Sequence, residues 1–159
     1  MSKEIQTFNY FKTVSTGTQL VVLSLRQWNT SLRFPVNLRT VLEPFFNKLN
    51  AKPALEPLLD LFSQFDPDVD DPFIANCLCS QHLSEPEIAF IRWLDQRDAS
   101  PQVFSAFPRT TERRDRATAT AKKVCAALKC AGLPLDNTML SVRAQQKIRW
   151  PDTPNRTTL

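Results

Sequence analysis

Cationic side chains crowd one stretch of the chain, "RTTERRDRATATAKK" at 109–123, which carries Arg109, Arg113, Arg114, Arg116, Lys122 and Lys123. A guanidinium presents its N–H donors in a planar fork that pairs with carboxylates and phosphates, so such a cluster is suited to meeting anions. Arg113 and Arg114 also fall where a helical pattern begins. The helix macrodipole is already positive there, and a cation is disfavoured unless an anion offsets it. A tract of backbone phosphates is a natural partner for cations arranged in line. The plainer alternative is a solvated charged face.

Other candidate chemistries fail on spacing. "DPDVDD" at 66–71 alternates aspartates like a calcium loop, but its sixth position is Asp71 where a sharp turn needs glycine, and its twelfth is Cys77 where a bidentate glutamate is needed. Cys77, Cys79 and His82 crowd together in "CLCSQH", yet C-x-C-x2-H is not a usual zinc spacing, so the expectation is buried free thiols and no metal. His82 is the single histidine and no Ser or Cys nucleophile motif stands beside it, which leaves enzyme chemistry without a base or a cofactor fingerprint. Only Gly17 and Gly132 are available, so every glycine-rich phosphate loop is excluded. No cofactor and no small-molecule substrate are expected. Trp28, Trp93 and Trp150 read as core or subunit-contact aromatics.

The elements that must position the arginines follow from length, charge and periodicity. A chain of 159 residues with 42% hydrophobic and 23% charged residues has the size and composition of one globular domain. Its longest apolar run, "LVVLSL", is far too short to cross a bilayer, and the N-terminus does not read as a secretory signal, so a cytosolic protein with reduced cysteines is expected. The net charge of +4 conceals strong segregation. Residues 54–91 hold eight acids and no Lys or Arg, residues 92–123 hold eight bases against four acids, and residues 1–53 are also basic. Such polarity suits a polyanion site together with head-to-tail contacts between copies.

Apolar residues recur at three and four spacing from Gln19 to Ser31, where "RFP" stops the first helix. A second runs from about Asn37 to Leu49, with Pro44 kinking it or marking a boundary. Prolines at 53, 57, 67 and 72 predict short pieces between 50 and 83, with one short helix at 55–64. Ser84 three residues before Glu87 is a capping box that opens a helix ending near Arg97. A loop at 98–111 leads to a last helix from Thr111 to Cys130, closed by Gly132. On it Ala117, Ala121, Val124 and Leu128 form the core stripe, with Arg113, Arg116, Thr120 and Lys123 in a second stripe beside it.

With these elements in order, "WLDQRDASPQV" followed by "RRDRATATAKK" resembles the helix, inner loop and helix of the coat proteins of rod-shaped plant RNA viruses of the tobacco mosaic virus type. "LRT" at 38–40, "FDPDVDDPF" at 65–73 and "KIRWPDTP" near the C-terminus fall in the matching order, so the resemblance spans about Leu20 to Trp150. It implies an all-α antiparallel four-helix bundle with a small β element at its outer end. The single coat-protein domain covers 1–159: an N-terminal segment at 1–18, a bundle at 19–150 with the inner loop at 98–111, and a tail at 151–159. It also implies self-assembly into a helical rod around single-stranded genomic RNA, in a virion put together in host cytoplasm. Carried over by position, Arg39, Arg97, Arg113, Arg114, Asp115 and Arg116 would touch RNA, with Ala119, Thr120 and Lys123 lining the groove. The arginines would pair phosphates, Asp115 would accept from a base or ribose hydroxyl, and the small residues would let a base lie flat.

The chain also departs from the family pattern. Arg116 stands where a second acid is usual and Ala99 where a second loop arginine is usual, and the loop is shorter. Lys48 and Gln102 occupy the places of the paired carboxylates whose repulsion drives disassembly in the family, which leaves Glu112 near Asp98, or the acids at 66–71, as substitutes. Three readings stay open on the sequence: a capsid subunit, a monomeric helical RNA-binding module, and an adaptor whose arginines meet acidic partners.

Overall fold

The computed structural model describes residues 10–67, 75–97 and 106–135. Among these residues five α-helices follow a 3-10 turn at Phe11–Thr13: α1 (Thr16–Ser31), α2 (Leu38–Lys48), α3 (Lys52–Ser63), α4 (Glu85–Leu94) and α5 (Thr111–Cys130). No strand forms among the described residues. The expected β element is reduced there to one antiparallel bridge between Tyr10 and His82. The fold is all-α over these residues, and no helix among them is long and apolar enough to cross a membrane.

Side-chain caps start four of the helices. Ser15, Asn37, Ser84 and Thr110 each accept a hydrogen bond from a backbone N–H three residues on, which satisfies a donor that the first turn leaves unpaired. At Ser84 the capping box is complete, since the Glu87 carboxylate returns to the Ser84 N–H at 2.9 Å. The Ser15 cap explains why α1 begins at Thr16, one turn earlier than apolar periodicity alone indicates.

Three helices end in the same way. Asn50, Gln96 and Gly132 take positive φ values of 57°, 63° and 78°. Each turn is closed by the two reverse hydrogen bonds of a Schellman motif: Ala51 N to Phe46 O with Asn50 N to Asn47 O, Arg97 N to Arg92 O with Gln96 N to Trp93 O, and Leu133 N to Leu128 O with Gly132 N to Lys129 O. Gln96 therefore stops α4 at Leu94, short of the Arg97 expected from the apolar pattern. The helix expected at 55–64 is longer and starts at Lys52. Pro53 lies in its first turn, where a missing N–H costs nothing, and Leu55, Leu58, Leu61 and Phe62 bury its inner face. Pro44 and Pro57 both sit inside helices that continue through them.

The helices touch in cyclic order, α1 against α2, α2 against α3, α3 against α5, α5 against α4 and α4 against α1, with the α3–α5 interface the most extensive. Aromatic rings fill the middle. Trp28 stacks on Phe62 at 5.2 Å, Phe65 meets Phe90 edge-on at 5.9 Å, and Trp93 meets Phe107 edge-on at 5.1 Å. Trp28 and Trp93 are thus core residues as expected, whereas Trp150 lies outside the described residues. The end of α5 returns to the start of α1, where Ser15 Oγ donates to Pro134 O. A Cβ on Gly17 would fall 2.3 Å from Leu133 O, so only glycine permits that approach.

One ion pair among the described residues is fully internal. Arg26 and Glu87, 1% and 0% exposed, meet at 2.7 and 3.0 Å. The remaining Arg26 donors reach Ser80 O and His82 O, while Glu87 also accepts from Asn76 N and Ser84 N. Every charged atom has partners, which a buried pair requires. The segment at 75–84, which has no helix of its own, is fastened to the core by this knot.

Candidate nucleic-acid interface

The head of α5 holds the cation cluster, and the structure divides it by partner. Arg113 extends toward α3, where both terminal nitrogens engage the Asp66 carboxylate at 2.5 and 2.9 Å. The anion required beside a cation at this helix start is therefore supplied from within the chain. Arg114 Nε donates to Pro108 O at 2.8 Å, and its guanidinium lies 5.7 Å from the centre of the Phe107 ring, the last ring of the aromatic core. Arg116 pairs only loosely with Glu112, at 3.6 Å along its own helix, and is 65% exposed. Lys122 and Lys123 are exposed, as are Asp115 and Ala119.

The core stripe of α5 is as the periodicity indicates: Ala117, Ala121, Val124 and Leu128 are buried. Thr120 corrects the second stripe. It is 5% exposed and faces α3: its hydroxyl accepts from Gln64 Nε2 at the end of that helix at 2.9 Å and donates to Arg116 O of its own helix at 3.1 Å. At 100° per residue Thr120 lies only about 40° from Val124, so it falls on the margin of the buried face instead of in the exposed row. Because the Thr120 proton is already committed, the Gln64 amide must turn its nitrogen to Thr120. Its Oε1 is left buried without a partner among the described residues.

Ser63, Gln64, Arg113 and Arg116 line a hollow of about 150 Å³ between the end of α3 and the head of α5. Pockets for drug-sized ligands run to roughly 300 Å³ or more, so this one suits a single group such as a phosphate.

Two expected site residues are placed elsewhere. Arg39, at the start of α2, forms a bidentate pair with Glu56 of α3, eight residues and about 12 Å up the helix from Gln64 at 1.5 Å per residue. The fork holds the Glu56 carboxyl below its ordinary pKa, the hydrogen bond from Arg39 being the main cause. Arg97 is exposed beyond the end of α4. The last turn of α4 meets α5 at Cys125, whose thiol donates to Leu94 O at 2.9 Å, so the chain leaves α4 beside the second half of α5. Ala99, Gln102, Asp98 and most of the inner loop lie outside the described residues, as do the acids at 68–71.

Ser63, Gln64, Phe107 and Pro108 belong to this candidate interface without having been singled out by sequence, and Asp66 was read only as one of the acids at 66–71. Asp66 carried a usable signal, since it sits in the acidic segment that lacks bases. Arg26–Glu87, Arg39–Glu56 and Arg113–Asp66 bridge separate elements, and each joins a base from outside that segment to an acid within it. The charge segregation serves internal pairing at these places. Cys77 and Cys79, expected to be buried, are exposed, because Leu78 and Cys79 occupy the middle of a surface turn closed by Ser80 N to Cys77 O. Comparison of the chain with family models, with curated proteins and with solved structures finds no match.

Proposed function

We propose that this chain is the coat subunit of a helical rod that encapsidates single-stranded RNA. The observation that supports the reading best is the row on α5 in which exposed Arg116 and Lys123 flank the small Ala119, running out from the hollow between α3 and α5. Phosphates would pair with Arg116 and Lys123, and Ala119 would leave space for a sugar or base against the helix. Arg113 and Arg114 act from behind, holding the head of the helix to Asp66, Phe107 and Pro108. In this reading α1, α2, α4 and α5 are the four helices of the coat-protein bundle and α3 is an addition packed against α5.

Electron microscopy of the purified protein with single-stranded RNAs of two lengths, at low and moderate salt, tests the assignment. Rods whose length follows the RNA are the expected result. Salt-sensitive RNA binding without rods would replace the capsid reading with a monomeric RNA-binding module. Absence of RNA binding would leave the adaptor.

A further inference from the structure

The turn at Cys77–Ser80 brings two thiols together on the surface. Cys77 Sγ and Cys79 Sγ are 3.3 Å apart, and both residues are exposed. A disulfide needs about 2.05 Å, so closing the bond asks for a shift of only about 1.3 Å in a turn that already sets both sulfurs on one side. We propose that Cys77 and Cys79 form a thiol–disulfide exchange site that closes a reversible intrachain bond when it meets a small-molecule disulfide such as oxidised glutathione.

The two sulfurs are not equivalent. The hydrogen bond between the two sulfurs lowers the Cys77 pKa, with backbone N–H groups of Cys79 and Ser80 and the charge of Arg26 acting in the same direction. The same contact raises the Cys79 pKa. Cys77 is therefore the attacking sulfur and Cys79 the resolving one. In the first step the Cys77 thiolate bonds to one sulfur of the oxidised glutathione, its S–S bond breaks, and one glutathione thiolate leaves and takes up the proton lost by Cys77. In the second, Cys79 gives up its proton and bonds to the Cys77 sulfur, and the second glutathione leaves with that proton. Two protein thiols lose two electrons to become one disulfide, and one glutathione disulfide is reduced to two thiols.

The turn is tied to the core at the same place. Ser80 O and His82 O accept from Arg26, and Asn76 N donates to Glu87, so the site rides on the buried ion pair. Cys125 is the contrast within the chain. It is buried, donates to Leu94 O, and has its pKa pushed up to about 11, mainly by desolvation. Two units above the ordinary thiol, it holds about a hundredfold less thiolate at neutral pH and should not react.

The test equilibrates the full chain with mixtures of reduced and oxidised glutathione, quenches in acid, alkylates free thiols and maps peptides by mass spectrometry. The expected product is a monomer lighter by two hydrogens, with Cys77 joined to Cys79 and Cys125 alkylatable only after denaturation. Cys79→Ser should stop at a glutathione adduct on Cys77, and Cys77→Ser should capture glutathione more slowly than Cys79→Ser. Separate adducts on both wild-type cysteines, a cross-link between two chains, or free Cys77 and Cys79 after Cys130 has been modified would each overturn the site. Equal capture rates in the two variants would overturn the division of roles.

Discussion

Arg26 and the arginines at the head of α5 are the same residue type put to opposite uses. Arg26 is enclosed, forks onto Glu87 and gives its remaining donors to two carbonyls, so its charge is spent entirely within the chain. Arg113 also has a carboxylate, but the pair is 44% and 47% exposed, and Arg116 is more exposed still. Water and salt screen those charges, and exposed pairs contribute about 0–1 kcal/mol. Burial commits Arg26 to the fold, whereas on the exposed head of α5 it is the partner that separates Arg113 and Arg114, held by Asp66 and Pro108, from the loosely paired Arg116. A count of arginines in the sequence cannot separate the two cases.

The contrast can be broken most strongly at the knot. Glu87→Ala leaves the Arg26 guanidinium buried without its carboxylate and should cost about 3–5 kcal/mol, measured by urea or thermal unfolding. The double variant Arg26→Met, Glu87→Leu should recover only part of that loss, because Ser80 O, His82 O, Asn76 N and Ser84 N lose their partners as well. A double variant as stable as the wild type would show that segment 75–84 does not depend on the pair.

At the head of α5 the effects should be smaller and should differ between neighbours. Arg114→Ala removes the bond to Pro108 O and the contact with Phe107, so it should lower stability by about 1–2 kcal/mol. Arg116→Ala should change stability by less than about 0.5 kcal/mol. Equal losses at the two positions would erase the distinction between an arginine that braces the helix and one that faces outward.

The smallest effect belongs to Arg39 and Glu56. The folded-state pKa of Glu56 is depressed, so the pair's contribution is present above the ordinary carboxylate pKa and is lost as pH falls through the lowered value. Both groups are exposed, and Arg39→Ala should leave the melting temperature at neutral pH almost unchanged. An NMR titration should nevertheless show the Glu56 pKa returning upward in that variant.

Much of the frame was legible in the sequence because local rules decided it. The Ser84–Glu87 capping box, the Gly132 stop, the boundaries of α5 and its Ala117–Leu128 stripe depend on short-range chemistry and helical period. Gln96 was not legible as a helix stop, since glutamine carries no preference for positive φ and only the closing hydrogen bonds hold it there. Gly17 could be read as a glycine but not as a point of contact, because its neighbour Leu133 is more than a hundred positions away. The site was legible as a cluster of charge but not as an arrangement. Arg113 to Asp66 and Thr120 to Gln64 are long-range pairings that periodicity on a single helix cannot supply.

In the proposed function the outward cations of α5, Arg116 and Lys123, meet RNA, and the braced Arg113 and Arg114 do not. The most direct measurement is the salt dependence of single-stranded RNA binding for the wild type, for Arg116→Ala with Lys123→Ala, and for Asp66→Ala. Each phosphate contact contributes roughly 0.7 to the slope of log K against log salt on a single strand, so the double variant should lose about 1.4. Asp66→Ala, which releases Arg113 from its carboxylate, should keep or steepen the slope. A double variant with wild-type affinity and slope would rule out Arg116 and Lys123 as the RNA contacts.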